Sequence, residues 1–196
     1  MSDEDFFSAH KSRFNCYSYA AGDKENPSEV VGSVPGAAGG EPMKRMTVGD
    51  LRAGLIKDGA IPAEEPVSGG LPPQKSGYRL IAGVLSPEAN GDFHFYRREK
   101  DGFWTHKPAR TEVLYADAVG KLIDDPRAAA RDYRNEVING YRWPLNYSQF
   151  AGFFYVPENG LKTGKAAPPK AQGADFSAGV FSNRPESSNH LRQFRP

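Results

Sequence analysis

Apolar and polar positions alternate most regularly over residues 92–98. Phe93 and Phe95 fall on one face there, and Asp92, His94, Tyr96 and Arg98 on the other. The pattern predicts a strand whose aromatic face packs on a core and whose polar face lines a cleft. Asp101-Gly102 supplies a turn into a second strand over residues 103–108. With Lys100-Asp101-Gly102 as the loop and Gly102 left-handed, Glu99 opposes Phe103. His106 then lies opposite Tyr96 and diagonal to His94, on the same face. A two-residue turn would send His106 to the other face, so its placement hangs on one residue of register.

Other segments carry weaker versions of the same signals. Residues 78–85 read as a buried strand through Leu80, Ile81, Val84 and Leu85, and residues 150–156 as the last strand. Thr111 to Tyr115 is a further strand candidate. Asn15 as N-cap and Gly22 as stop bracket a short helix with Cys16 in its first turn. Thr47 opens a helix through Lys57 with an apolar stripe of Leu51, Leu55 and Ile56. Asp125-Pro126 predicts a helix running through Ile138, by cap and N1 proline. Residues 23–46 and 60–77 are rich in Pro and Gly and read as loops, as do residues 117–125 around Leu122-Ile123. The organisation expected is a flexible N-terminal arm over 1–13, a domain over 14–157, and a Pro/Gly-rich, disordered tail over 158–196.

Composition narrows the classes. The 196 residues are 38% apolar with 21 Gly and 16 Pro, which supports one domain with irregular attachments. A net charge of +1 with no dense basic run gives no electrostatic footprint for nucleic acid. No apolar run is long enough for a membrane span. The acidic start Met1-Ser2-Asp3-Glu4-Asp5 has no apolar signal region. A cytoplasmic protein, or one exported by a non-Sec route, is therefore expected. A single cysteine makes no internal disulfide.

That cysteine also suggests chemistry. A helix N-terminus favours a thiolate and offers free N–H groups to an oxyanion. His94 suits proton transfer, and a third polar group would hold its tautomer. His106 is the first choice for that orienter, with Asp117 and Asp125 in reserve. The alternative for Cys16 is a small buried apolar side chain, and for His94 a strand histidine with satisfied hydrogen bonds. His10 and His190, near the two ends, are read as incidental. No CxxC or HExxH pair, GxGxxG, P-loop or GxSxG elbow is present, so no metal and no other cofactor is expected.

The stretch Asn15-Cys16-Tyr17-Ser18-Tyr19-Ala20 resembles the nucleophile helix of NlpC/P60 and CHAP-type bacterial cysteine peptidases. The order Cys16, His94, His106 resembles their Cys-His-His form. The run from Asp92 to Pro108, with Asp125-Pro126-Arg127 and the aromatic strand from Phe150 to Pro157, is also similar to a set of bacterial proteins without an assigned activity. The first resemblance implies an α+β, papain-like (NlpC/P60-type) fold, in which an N-terminal nucleophile helix packs on an antiparallel β-sheet. It implies thiol-dependent hydrolysis of amide bonds by Cys16, His94 and His106, with a peptide or peptidoglycan-peptide substrate. A secreted effector or lysin with an inhibitor or immunity partner would follow. The alternatives are a protease or acyltransferase acting on a host protein, or a non-catalytic binding or structural protein that retains the fold.

Overall fold

The computed structural model describes residues 1–25, 32–87, 91–135, 137–138, 141–142 and 145–165. The chain is α+β. Its centre is a five-stranded antiparallel sheet in the order β2-β8-β3-β4-β5. These strands are β2 (Ile61–Ala63), β3 (Tyr78–Ser86), β4 (Asp92–Arg98), β5 (Trp104–His106) and β8 (Gln149–Pro157). The four strands expected from the hydrophobic pattern are present. β2 adds an edge, and two small ribbons pair β1 (Ser33–Val34) with β9 (Gly164–Lys165) and β6 (Val137–Ile138) with β7 (Tyr141–Arg142).

Among the described residues, three helices precede all five strands of this sheet. In α2 (Cys16–Ala21), Asn15 accepts from the Ser18 amide, and Gly22, at φ 70°, closes the C-terminus in the left-handed region. In α3 (Val48–Asp58), the Thr47 side chain accepts from the Asp50 amide, and Gly59 terminates the helix at φ 106°. The buried stripe of α3 is Leu51, Gly54 and Leu55. Ile56, expected in that stripe, is 49% exposed. Gly54 takes the inward position because Pro35 lies where a Cβ would sit. The N-terminal arm contains α1 (Asp3–Ala9), and it does not lie loose: Phe7 is buried against Phe14 and Tyr19.

The sheet has a core on each face, because strand side chains alternate. On one side Ile81, Leu85, Phe93, Phe95, Phe154 and Val156 pack against α2 and α3. On the other, Ala82, Val84, Tyr96, Trp104, Phe153 and Tyr155 are covered by the irregular segment carrying Ala118, Ile123, Tyr133, Leu145 and Tyr147. The β4 face expected to line an open cleft is therefore interior, with His94 and Tyr96 buried. A register shift between Gly83 and Val84, opposite Gly152 at φ 115°, keeps β8 in phase with both cores.

Two predicted elements do not form. The helix expected from Asp125-Pro126 is absent over the described residues 126–135. Asp125 turns its carboxylate onto the Arg127 amide and guanidinium instead of extending a cap, and Asp132 does the same with Arg134. Backbone bonds from Tyr133 to Leu145 and from Tyr147 to Arg131 then draw this segment across the sheet face. The strand expected over 111–115 contributes a single bridge, Leu114 with His106. The expected tail begins too early: Leu161 and Thr163 are buried and β9 pairs with β1. The Asp23 carboxylate holds the Thr163 amide and hydroxyl, which ties residues 161–165 into the fold. The rest of that tail, with His190, lies outside the described residues. No described helix is long and apolar enough to cross a membrane.

Candidate functional site

The hairpin of β4 and β5 forms in the register that brings its histidines together. Glu99 donates its amide to Phe103 O, Gly102 takes φ 94°, and His106 pairs with Tyr96. His94 Nε2 lies 2.8 Å from His106 Nδ1, and His106 Nε2 lies 2.9 Å from the Ala116 carbonyl. A carbonyl only accepts, so in the neutral pair His106 carries its proton on Nε2. Its Nδ1 then accepts from His94 Nε2–H, and the network leaves His94 Nδ1 as a bare lone pair. Tyr147 and Tyr96 pack on His94 with ring centroids 5.3 and 5.4 Å away.

Cys16 sits at the first position of α2, facing the same strand from the helix side. Its thiol donates to the Phe93 carbonyl at 3.6 Å, and the residue is 6% exposed. Burial, reinforced by the Asp92 carboxylate, pushes the thiol far above the usual cysteine range. The helix start does not produce a thiolate here, because α2 has only six residues and desolvation outweighs its dipole. Burial also holds both imidazoles neutral. It lowers His94 well below 6.5, with His106 and Lys107 adding to the effect, and it lowers His106 to about 4 against the opposing Ala116 carbonyl and Asp117. The two reserve orienters are occupied elsewhere. Asp117 accepts from the amides of Val119, Lys121 and Ala130, and Asp125 holds Arg127.

Three neighbours carried little or no signal in the sequence. Asp92, which the alternation places on the polar face of β4, accepts from Tyr147 O–H and the Phe93 amide, and burial raises it to about 6. Tyr147 arrives from the loop layer, and no strand pattern marks it. Lys107 is wholly buried, with Nζ donating to the carbonyls of Lys11, Phe14 and Ala109 at 2.8, 2.6 and 2.6 Å. Burial draws its ammonium down to about 7, opposed by Cys16. The three carbonyls match the three donors of an ammonium. They pin the turn after α1 and the start of α2 to the end of β5, with Ala109 held at φ 39°. The sequence signal was a lysine inside Trp-Thr-His-Lys-Pro, where a surface charge was the natural reading. Among the described residues no group of three or more His, Cys, Asp or Glu side chains is placed to hold a metal ion.

No family model matches the chain, and no solved structure matches it. It is similar to insoluble matrix shell protein 1 of Ruditapes philippinarum, at 34% identity over 119 residues, which cover 61% of this chain and 72% of the clam protein. The chain belongs to the family of that shell matrix protein. This finding overturns the expectation of a thiol-dependent amide hydrolase drawn from Cys16, His94 and His106. The buried, protonated thiol and neutral imidazoles agree with the correction.

Proposed function

We propose that this protein is a non-catalytic structural component that works by packing into an insoluble matrix, and that it keeps a papain-like, NlpC/P60-type arrangement of helix and sheet without that fold's hydrolysis. The observation that carries the reading is the kinship with insoluble matrix shell protein 1, which covers most of the relative's length. Support for the fold comes from α2 packing on β4, with Cys16 on one side of that strand and the His94–His106 pair on the other. In the structural reading these residues act as core. The thiol fills space and caps a strand carbonyl, and the histidine pair joins β4 to β5 by a hydrogen bond in place of apolar contact.

The test has two arms on the purified full chain. In the first, the protein is mixed with insoluble matrix from clam shell and washed, and retention in the pellet is measured against a globular control of similar charge. In the second, native Cys16 is alkylated with iodoacetamide from pH 6 to 9 and compared with the unfolded chain. Retention, together with a native thiol that reacts at least about 100-fold more slowly than the unfolded one, is the expected result. Failure to be retained, or a native thiol that outpaces the unfolded one in a His94-dependent way, overturns the reading.

A further inference from the structure

The N-terminal arm docks as a module of its own. Phe7 packs with Phe14 and Tyr19 in a third small core, flanked by Phe6 and Val113 and distinct from the two cores of the sheet. The first turn of α1 meets three cations that three different segments supply. Asp3 lies 2.7 Å from Lys24, which follows α2, 2.7 Å from Arg79 on β3, and 3.4 Å from Arg97 on β4. Glu4 lies 3.5 Å from Arg97 as well. Further along the helix, Ser8 Oγ accepts from the Val113 amide at 3.2 Å. Residues 3–8 therefore carry everything the seat recognises: acids for its cations, a phenylalanine for its aromatic rings and a hydroxyl for its amide.

The link from this module to the body is slight. In the stem, residues 10–13, Lys11, Ser12 and Arg13 are exposed, and the Arg13 amide closes a turn on the His10 carbonyl at 2.9 Å. Straightening the stem gives up that bond, the Lys107 hold on the Lys11 carbonyl and the 3.8 Å pairing of Lys11 with Glu112. The seat itself stays whole, so the arm of a second copy makes the same contacts there, which is the condition for exchange between copies. Concentration then decides between the two arms. A short flexible link holds its module at about 1 mM, whereas neighbours in a packed protein solid stand at about 10 mM or more. We propose that in the packed state α1 is exchanged between copies, its Asp3, Glu4 and Phe7 seated on the Lys24, Arg79, Arg97, Phe14 and Tyr19 of a neighbour. The inference rests on the matrix reading above and names the partner as a second copy of this chain. In dilute solution each arm stays on its own body. Reciprocal exchange closes a pair, and exchange passed from copy to copy runs open and lengthens into an insoluble array.

The ion pair of Asp3 and Lys24 allows a test on the unaltered full chain, because a zero-length carbodiimide converts that 2.7 Å contact into an amide. Equal amounts of isotope-labelled and unlabelled chain are mixed, and one portion is kept dilute at about 10 µM while the other is concentrated until it pellets. Both are cross-linked and digested, and the peptides joining Asp3 to Lys24 are read by mass spectrometry. Single-isotope peptides are expected from the dilute portion. In the pellet, peptides with one label on each side should approach about half of the total, the value random pairing of labels gives. A pellet whose Asp3–Lys24 peptides all stay single-isotope overturns the exchange, whether or not shell matrix retains the chain. Mixed-isotope peptides that join Asp3 to many lysines alike report random contact and overturn it too. Mixed Asp3–Lys24 peptides from a chain that shell matrix fails to retain uphold the exchange and sink the matrix reading instead.

Discussion

Arg97 offers the sharpest test of how the N-terminal arm is held. Its side chain is 1% exposed, with Nε 2.7 Å from Glu99 Oε1 and Nη1 3.4 Å from both Asp3 Oδ2 and the Tyr19 carbonyl. Nη2 lies 3.5 Å from Glu4 Oε1, and the guanidinium stacks 4.2 Å from the Tyr19 ring. Arg97→Met keeps most of the aliphatic volume and removes the charge. Asp3 retains Arg79 and Lys24, each at 2.7 Å, so the carboxylates left without a cation are Glu4 and Glu99, and Glu99, the nearer to Arg97 and the more buried, loses the most. Burial raises the Glu99 carboxyl, and Arg97 more than offsets this to hold it below the usual range. Without Arg97 the variant either keeps an unpaired carboxylate, at about 3–5 kcal/mol, or protonates it. Taking up a proton at pH 7 from a reference near 4.3 costs about 1.36 kcal/mol for each of roughly 2.7 units, or about 3.7 kcal/mol. The loss should therefore be about 3–4 kcal/mol at pH 7, which in a chain of this size lowers the melting temperature by about 6–15 °C.

The cost of protonation shrinks with pH, so the same variant should lose only about 1 kcal/mol at pH 5. Urea unfolding followed by the fluorescence of buried Trp104 at both pH values supplies the measurement. Adding Glu99→Gln to Arg97→Met should recover most of the loss at pH 7. A loss below 1 kcal/mol at pH 7, or one equal at pH 7 and 5, would refute the assignment of Glu99 as the stranded charge.

Other consequences follow from the buried groups. His94 and His106 both titrate below 6.5 in the fold, so the unfolded chain takes up protons that the fold refuses and stability falls as pH drops from about 6.5 toward 4. Asp92 works in the opposite sense, because its pKa is raised to about 6 and the fold takes up its proton first. Asp92→Asn should therefore steepen the acid loss between pH 6 and 4 by up to one proton. Urea midpoints across that range would show it, and an unchanged slope would count against the buried placement. Gly152 sits at φ 115° with the Arg52 guanidinium where a Cβ would project. Gly152→Ala should cost about 1–3 kcal/mol and free the Arg52 contact with the Ala151 carbonyl, seen as faster exchange of amides in β8.

The sequence by itself determined the local pieces of this protein. Period-two alternation marked β4, apolar runs marked β3 and β8, Asn15 and Thr47 marked helix starts, and the three-residue loop ending at Gly102 set the register that joins His94 to His106. These are short-range matters, fixed by backbone sterics and by caps within a few residues. Tertiary structure decided what those pieces meant. Whether the polar face of β4 would be cleft or core depended on residues 109–135 and 145–147 folding across it. Their Asp-x-Arg turns and Leu145–Tyr147 bridges overrode the helix that Asp125-Pro126 announced. Burial then set the chemistry: a cysteine at a helix start is a thiolate only if solvent or a cation supports it, and here desolvation in the core between the helices and the sheet keeps it a thiol. Lys107 followed the same logic, since three carbonyls from separate segments made the inside of the fold a better place for its ammonium than any reading of the sequence around it foretold.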